Sequence, residues 1–273
     1  MEKQHNVSGR QVSSGFAHTI SAAFRCLGRL WGMTFLHYIV LAYMRYRVSL
    51  FEIHSSGTEY LAEVDGKSYI LVANHILERD TMLKILRLKG FDRFNHAIDS
   101  FALQQVVREH TGKWVRVVAK YGRDSWYSSL PLRLVQRYIR QPLTQGQLEG
   151  VGYVPVDLKT GVVNKDFMRT VDDLVRMDES LLIFPEGNSF ADFEEDRSLR
   201  YGAAHLARKY GIPILPAYIA GCDTWQPGNR VDIWFGPPVV TAGLSKNQIV
   251  QQVKRAIVAL RPTGSAEAAT MSR

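Results

Sequence analysis

Two polar turns in the sequence follow apolar segments and carry the residue types that acid–base chemistry requires. The first is "LVANHILERD", residues 71–80, which places His75 and Asp80 just beyond a predicted strand. The second is "LLIFPEGNSF", residues 181–190, in which another predicted strand leads into Glu186. Sites in α/β proteins lie beyond the carboxyl ends of strands. Each polar turn therefore lies where an α/β protein is expected to place a site.

The first turn contains the residue types from which a general base can be built. If residues 68–73 form a strand and residues 80–90 a helix, the turn between them folds Asp80 back toward His75. The carboxylate then accepts a hydrogen bond from one imidazole nitrogen and leaves the other nitrogen free to take a proton. No serine or cysteine in residues 71–80 offers itself as a nucleophile. The pattern therefore predicts direct proton abstraction from a substrate hydroxyl.

Strand-like and helix-like segments alternate from residue 53 onward. Strands are predicted over 68–73, 114–120, 151–156, 180–184, 212–221 and 231–236, and helices over 80–90, 166–177, 198–211 and 244–262. Ser198 and Ser245 are the expected N-caps of the last two helices, which end at Gly211 and Pro262. This alternation predicts an α/β domain over residues 53–262, with a mixed, mainly parallel sheet flanked by helices. Residues 263–273 are expected to form a disordered tail.

Residues 1–52 form a basic and apolar segment, which we expect to be helical and to associate with a membrane. Its first fifteen residues are polar and are expected to be loose. Residues 30–44 contain no Asp, Glu, Lys or Arg and are flanked by arginines. They are shorter than the roughly 20 residues of a spanning helix, and they also differ from a signal peptide. The pattern favours a helix that lies in one leaflet, with arginines at the phosphates. A buried helix of the main domain is the alternative.

The formal charge of +8 predicts an anionic partner. The sequence contains no zinc-finger spacing and no aromatic RNA-binding signature, so nucleic acid is not expected. Cys26 and Cys222 supply neither a disulfide framework nor a zinc site, and the eight histidines lack ligand spacing. No glycine-rich nucleotide loop is present. We therefore expect no metal and no cofactor.

The two turns together resemble motifs of the glycerol-phosphate and lysophospholipid acyltransferase superfamily. "NHILERD" matches its Asn-His-(four residues)-Asp motif, and "FPEGNS" is similar to its Phe-Pro-Glu-Gly-Thr-Arg-Ser motif. Two further blocks follow the family order, "GYVPVD" at 152–157 and "IPILPAYI" at 212–219. The resemblance covers roughly residues 60–240.

This resemblance implies a reaction and a set of site residues. His75 would take the proton from an acceptor hydroxyl, with Asp80 as its orienting partner, and the hydroxyl would attack an acyl thioester directly. The implied substrate-binding residues are Asn74, Lys159, Glu186, Gly187, Asn188, Ser189 and Pro216. Acyl-CoA or an acylated carrier protein would be the donor, and the basic stretch from Arg108 to Arg140 could receive either. A lyso-lipid would be the acceptor, at a membrane surface and on its cytoplasmic face.

Two departures from the family pattern concern the acceptor. Ser189 and Leu158 stand where the family carries arginines that grip a phosphate. An acceptor without a glycerol-phosphate headgroup, such as an amino-acid lipid, is therefore an alternative. Two rival functions remain: a thioester hydrolase or cysteine-dependent acyl carrier that uses Cys222, and a non-catalytic membrane-binding relative.

Overall fold

The structure is a computed structural model that describes most of the chain. It covers residues 8–31, 33, 37–76, 98–120, 134–135, 138–139, 141–150, 152–156, 165–187, 193, 198–223 and 228–262. Four predicted site residues lie outside these ranges: Asp80, Lys159, Asn188 and Ser189. The predicted helix over 80–90 and much of the basic stretch beyond residue 120 also lie outside them.

The described strands form a seven-stranded mixed sheet. They are β1 (Glu52–Ser56), β2 (Ile70–Ala73), β3 (Arg116–Lys120), β4 (Val154–Val156), β5 (Leu181–Ile183), β6 (Ile214–Ala220) and β7 (Arg230–Phe235). Their order across the sheet is β1-β7-β6-β2-β5-β3-β4. Within this order β6 and β7 pair antiparallel and the other neighbours pair parallel. The predicted α/β class with a mixed, mainly parallel sheet is confirmed.

Helices flank these strands along the chain. The described ones are α1 (Ser8–Trp31), α2 (His37–Val48), α3 (Glu59–Val64), α4 (Ile98–Thr111), α5 (Gln141–Gly150), α6 (Lys165–Arg176), α7 (Gly202–Tyr210) and α8 (Lys246–Leu260). Ser245 caps α8 through a capping box, and Gly211 ends α7 in the left-handed conformation, as predicted. The N-cap predicted at Ser198 was wrong. The helix begins three residues later than predicted from that cap, with Tyr201 at the N-cap, and the N–H of Arg200 in the preceding segment donates to Pro185 O.

The chain divides into two compact units. One consists of residues 1–42 and 118–171, and the other of residues 43–117 and 172–273. The second unit contains the apolar strands β2, β5 and β6, whose Leu71, Leu182 and Leu215 are completely buried. Strands that are covered on both faces are apolar along their whole length, which explains why apolar and polar residues do not alternate in these segments. The boundaries predicted at residues 52 and 262 stay a prediction.

In the first unit, α1 and α5 pack closely through glycines. A Cβ atom on Gly146 would lie 2.0 Å from Arg25 O, so the two backbones can approach only because this residue lacks a side chain. Glu149 accepts hydrogen bonds from both Arg25 and Arg29 beside this contact. Burial would raise the pKa of Glu149, but the two guanidinium groups lower it below its ordinary value. Arg25 and Arg29 therefore have a carboxylate partner within the protein.

The N-terminal segment differs from its predicted form. The first fifteen residues were expected to be loose, but helix α1 begins at Ser8 and includes part of them. The apolar stretch over 30–44 falls across the end of α1 and the start of α2. Within the described part of the chain, every helix is too short or too polar to cross a bilayer.

Candidate active site

The two polar turns lie at the same edge of the sheet. Strands β2 and β5 are parallel neighbours, with Val72 opposite Ile183. The carboxyl ends of parallel neighbours point the same way, so the turn that follows β2 meets the turn that follows β5. The backbone N–H of His75 donates to Glu186 Oε1 at 3.0 Å, which joins the turns directly. The turn that contains His75 and the turn that contains Glu186, which the family resemblance assigns to one site, are therefore in contact.

The imidazole of His75 is held from two sides. Its Nδ1 lies 2.5 Å from Asp99 Oδ2. Its ring stacks on Phe184, with ring centroids 4.3 Å apart and planes inclined by 22°. Only 18% of the His75 side chain is exposed. The hydrogen bond that the described residues make to this ring goes to Nδ1, so Nε2 is the nitrogen on which a proton can be received.

Asp99 is the residue that the sequence analysis missed. It is the second residue of α4, and its side chain is 1% exposed. Aspartates are common in the first turn of helices, so nothing in the local pattern distinguishes this one from an ordinary helix start. The 24 positions between Asp99 and His75 also hid the pairing. Asp80, the partner predicted from the sequence, lies outside the described residues, and its role stays a prediction.

Two carboxylates determine the electrostatics at His75. Burial of the ring would lower the pKa of His75, because a charged imidazolium loses solvation. The charge of Asp99, its hydrogen bond to Nδ1 and the charge of Glu186 outweigh that effect and raise the pKa above its ordinary value. The site therefore stabilises the imidazolium, which is the state of a base that has just received a proton.

Comparison with known proteins agrees with this chemistry. The sequence model of the Acyltransferase family matches residues 128–220. That stretch contains Glu186, Gly187 and Pro216, whereas His75 and Asp99 precede it. This match to part of the chain agrees with the family that the motifs resemble.

One solved structure to which this chain is similar is the crystal structure of the 1-acyl-sn-glycerophosphate (LPA) acyltransferase, PlsC, from Thermotoga maritima. The two chains are 16% identical, and the comparison covers 90% of this chain and 97% of that chain, with a TM-score of 0.43. A similarity of this degree carries no inference about substrate or mechanism. No curated protein matches the sequence.

Asn74 and Pro216 make structural contacts within the sheet. Asn74 is 2% exposed, and its amide nitrogen donates to Ile219 O at 2.9 Å. Its amide oxygen accepts from the N–H of Ile219 at 2.8 Å, so the side chain ties the end of β2 to β6. Pro216 lies opposite Val72 within β6, and its carbonyl accepts from the N–H of Gly236. The substrate-binding roles of both residues stay predictions.

Position 187 requires glycine, both because of its backbone conformation and because of a neighbouring side chain. Its φ of +72° is strained for any residue with a Cβ atom. Such a Cβ would also lie 2.1 Å from Arg200 Nε. The N–H of Gly187 donates to Phe184 O within the turn. Arg200 therefore places a guanidinium group against the second polar turn, although Ser189 replaces the family arginine nearby.

The basic stretch predicted for donor binding is described only in its first part. Arg108 lies over the ring of Trp114, with its guanidinium carbon 4.6 Å from the ring centroid. Arg116 pairs with Glu179 through two guanidinium nitrogens. Arginines 133, 137 and 140 lie outside the described residues. Donor binding by this stretch stays a prediction.

Proposed function

We propose that this acyltransferase moves a fatty acyl group from an acyl thioester to a hydroxyl group of a lyso-lipid, with His75 as the general base. The observation that supports this most strongly is the position of His75. Its Nδ1 is bound by a buried carboxylate, and its backbone is bonded to Glu186 in the turn that the family model matches. A histidine held in this way offers Nε2 to a substrate.

The reaction needs only one base. Nε2 of His75 takes the acceptor's hydroxyl proton as the hydroxyl oxygen attacks the thioester carbonyl carbon. The tetrahedral intermediate collapses, the carbon–sulfur bond breaks, and the thiolate leaves. The imidazolium returns its proton to the thiolate, so the products are an ester and a free thiol. Because a thioester is already activated, positioning and proton transfer supply the main catalytic effects.

The donor is acyl-CoA or an acylated carrier protein. Both present a thioester on a phosphate-bearing arm, and the net charge of +8 favours anionic donors in general. The two donors are distinguished by supplying each with the same acyl chain and comparing kcat/KM.

The proposed site of action is a membrane surface on the cytoplasmic face. On α1, Leu27, Leu30 and Trp31 share one helical face, and each is more than half exposed. Met33 is also more than half exposed. Large apolar side chains exposed together on a helix favour insertion among lipid headgroups.

Removing two of these side chains is expected to weaken membrane binding. The variant Leu30→Ser/Trp31→Ser should bind at least tenfold less to anionic phospholipid vesicles, because even one fully buried apolar side chain contributes roughly 1.5–3 kcal/mol. Co-sedimentation with vesicles measures the bound fraction. Met177→Ser, which removes an equally exposed apolar side chain from another part of the chain, is the matched control. Equal binding by both variants and the wild type would contradict the membrane role of α1.

The chemical identity of the acceptor's headgroup is a more specific part of the proposal. The absence of arginine at positions 158 and 189 favours a headgroup other than glycerol phosphate, such as an amino-acid lipid. Arg200 beside Gly187 favours an acceptor that carries an anionic group. An amino-acid lyso-lipid with a free carboxylate satisfies both features, and lysophosphatidic acid satisfies only the second.

An acceptor panel tests the proposed function. Purified protein is incubated with a labelled acyl thioester and with lysophosphatidic acid, a zwitterionic lyso-phospholipid or an amino-acid lyso-lipid, and the products are identified by mass spectrometry. Acylation of any of these acceptors that depends on His75 supports the proposal. Product from lysophosphatidic acid by a wide margin would exclude the amino-acid alternative. Thioester hydrolysis without acyl transfer would instead support a hydrolase.

Neither rival gains support from the described residues. Cys222 is only 3% exposed, which leaves little access for an acyl chain to its sulfur atom. We expect Cys222→Ser to retain acyl transfer. A non-catalytic membrane-binding protein has no use for a buried histidine–carboxylate pair, which costs solvation free energy. Absence of transfer to every acceptor, by wild type and His75→Ala alike, would favour that rival.

A further inference from the structure

The ring of Phe184 covers one face of the His75 imidazole. The two ring centroids lie 4.3 Å apart and the ring planes are inclined by 22°, which is a stacked arrangement. The carboxylate of Asp99 holds the edge of the imidazole, so the stack adds a contact to the face of the same ring. Because only 18% of the His75 side chain is exposed, its charge state depends mainly on neighbouring protein groups.

The backbone of the two polar turns holds these rings together. Phe184 directly follows β5, and its carbonyl accepts from the N–H of Gly187, which closes the turn. The backbone N–H of His75 donates to Glu186, two residues beyond Phe184. Strands β2 and β5, from which the two turns start, are parallel neighbours in the sheet. The fold itself therefore places the ring of Phe184 against the imidazole.

Two carboxylates also act on the charge of the imidazole. Burial disfavours the imidazolium, whereas Asp99 on α4 and Glu186 in the turn after β5 favour it. Phe184 adds to the burial, because its ring occupies a face at which water would otherwise solvate the cation. The pairing predicted for Asp80 is unaffected by this stack, which uses the face of the ring and not its nitrogen atoms.

An aromatic face offsets the loss of solvation that it causes. The π-system carries negative charge on its faces. A cation within about 6 Å of the centroid of such a ring is attracted to its face. The separation of 4.3 Å between Phe184 and His75 is well inside this limit. A neutral imidazole gains less from the same contact, and an aliphatic side chain would exclude water without this attraction. The stack therefore favours the protonated state of His75.

We propose that Phe184 is a positioning residue whose ring face stabilises the His75 imidazolium that forms when the acceptor hydroxyl loses its proton. Because it concerns the same base, this role of Phe184 rests on the proposed function. The proton passes from the hydroxyl to Nε2 as the new carbon–oxygen bond forms, and positive charge develops on the imidazole beside the ring of Phe184. An interaction that strengthens as this charge develops lowers the barrier, whereas one of equal strength in both states does not.

Replacing Phe184 with leucine tests the proposal, because leucine is apolar but has no aromatic face. We expect kcat for acyl transfer, measured at a pH where the imidazole is neutral, to fall about threefold to tenfold. The KM values of donor and acceptor should not change. The His75 pKa, measured by NMR titration of the ring signal that is lost in His75→Ala, should also fall. Phe184→Tyr keeps the aromatic face and should recover both kcat and the His75 pKa.

Two further proteins separate the aromatic face from packing. Phe51→Leu makes the same substitution at another buried position, before β1, which β7 and β6 separate from β2. It should lower Tm and leave kcat and the His75 pKa at their wild-type values. Pentafluorophenylalanine at position 184 keeps the approximate shape of the ring and reverses the charge of its faces. It should lower kcat and the His75 pKa, and it replaces Phe184→Leu if that variant fails to fold.

The NMR titration needs no substrate, so it distinguishes failure of this proposal from failure of the proposed function. A wild-type His75 pKa in folded Phe184→Leu or in the fluorinated protein would overturn the role of Phe184, whatever the rate of either protein. A lower His75 pKa in both supports that role. If the wild-type protein also transfers no acyl group to any acceptor, the proposed function is refuted, although the stack still stabilises the imidazolium.

Discussion

Replacing His75 with alanine is expected to reduce kcat/KM for acyl transfer by about a hundredfold to ten-thousandfold, the usual contribution of a general base. The acceptor hydroxyl would have to attack the thioester without losing its proton to the protein. The substitution removes the ring that stacks on Phe184 and bonds Asp99, but it leaves the backbone N–H that donates to Glu186. The substitution should therefore lower the rate of acyl transfer more than it lowers the stability of the fold.

The measurement is the initial rate with saturating and limiting acceptor, for variants whose folding is verified by circular dichroism. His205→Ala is the matched control, because His205 lies on α7, and burial and two nearby lysines lower its pKa. The control should keep wild-type activity. A His75→Ala enzyme as active as the control would refute the assignment of the base.

Substitutions at Glu186 are expected to separate its hydrogen bond from its charge. Glu186→Ala leaves the N–H of His75 without its acceptor in a buried environment, which costs about 1–3 kcal/mol. The turns after β2 and β5 would lose their direct connection. We expect kcat/KM to fall by about tenfold to a hundredfold, together with a lower free energy of unfolding.

Glu186→Gln provides the comparison, because glutamine retains an oxygen that can accept from His75 N–H. This variant should remain close to wild type in stability. The lost negative charge lowers the pKa of His75, so the acid limb of the rate profile should move to lower pH. Chemical denaturation and pH–rate profiles measure both effects. If Glu186→Ala matched Glu186→Gln in rate and stability, the hydrogen bond would have no role.

Most of the fold could be predicted from the sequence, because local residue patterns specify its strands and helix ends. The runs that became β2, β5 and β6 are apolar along their length, and Ser245 and Gly211 act through nearby backbone atoms. The start of α7 could not be predicted from the local sequence, because Ser198 has the residue type of an N-cap although the helix begins at Gly202. The pairing of α1 with α5 was also missed, since it depends on Gly28 lying against the backbone of Leu143 and Gly146 lying against the backbone of Arg25.

The candidate site shows the same division. The turns at His75 and Glu186 follow apolar strands and can be recognised from residue type and position. The partner of His75 cannot, because a hydrogen bond between positions 75 and 99 leaves no periodic or local trace. The reason for glycine at position 187 was also hidden, because the side chain that fills the space beside it belongs to Arg200. Local sequence chemistry predicts the groups, and tertiary packing decides which of them pair.

The most direct test of the account is to compare the titration of His75 with the pH dependence of acyl transfer. The ring is titrated by NMR in the free enzyme, and kcat/KM, which reports ionisations of the free enzyme, is measured over the same pH range. Because the neutral imidazole is the base, activity should be lost as the ring gains its proton on lowering the pH. The two midpoints should coincide above the ordinary histidine value of about 6.5. A rate that stays constant through the titration of His75, or that is highest when the ring is protonated, would contradict the account.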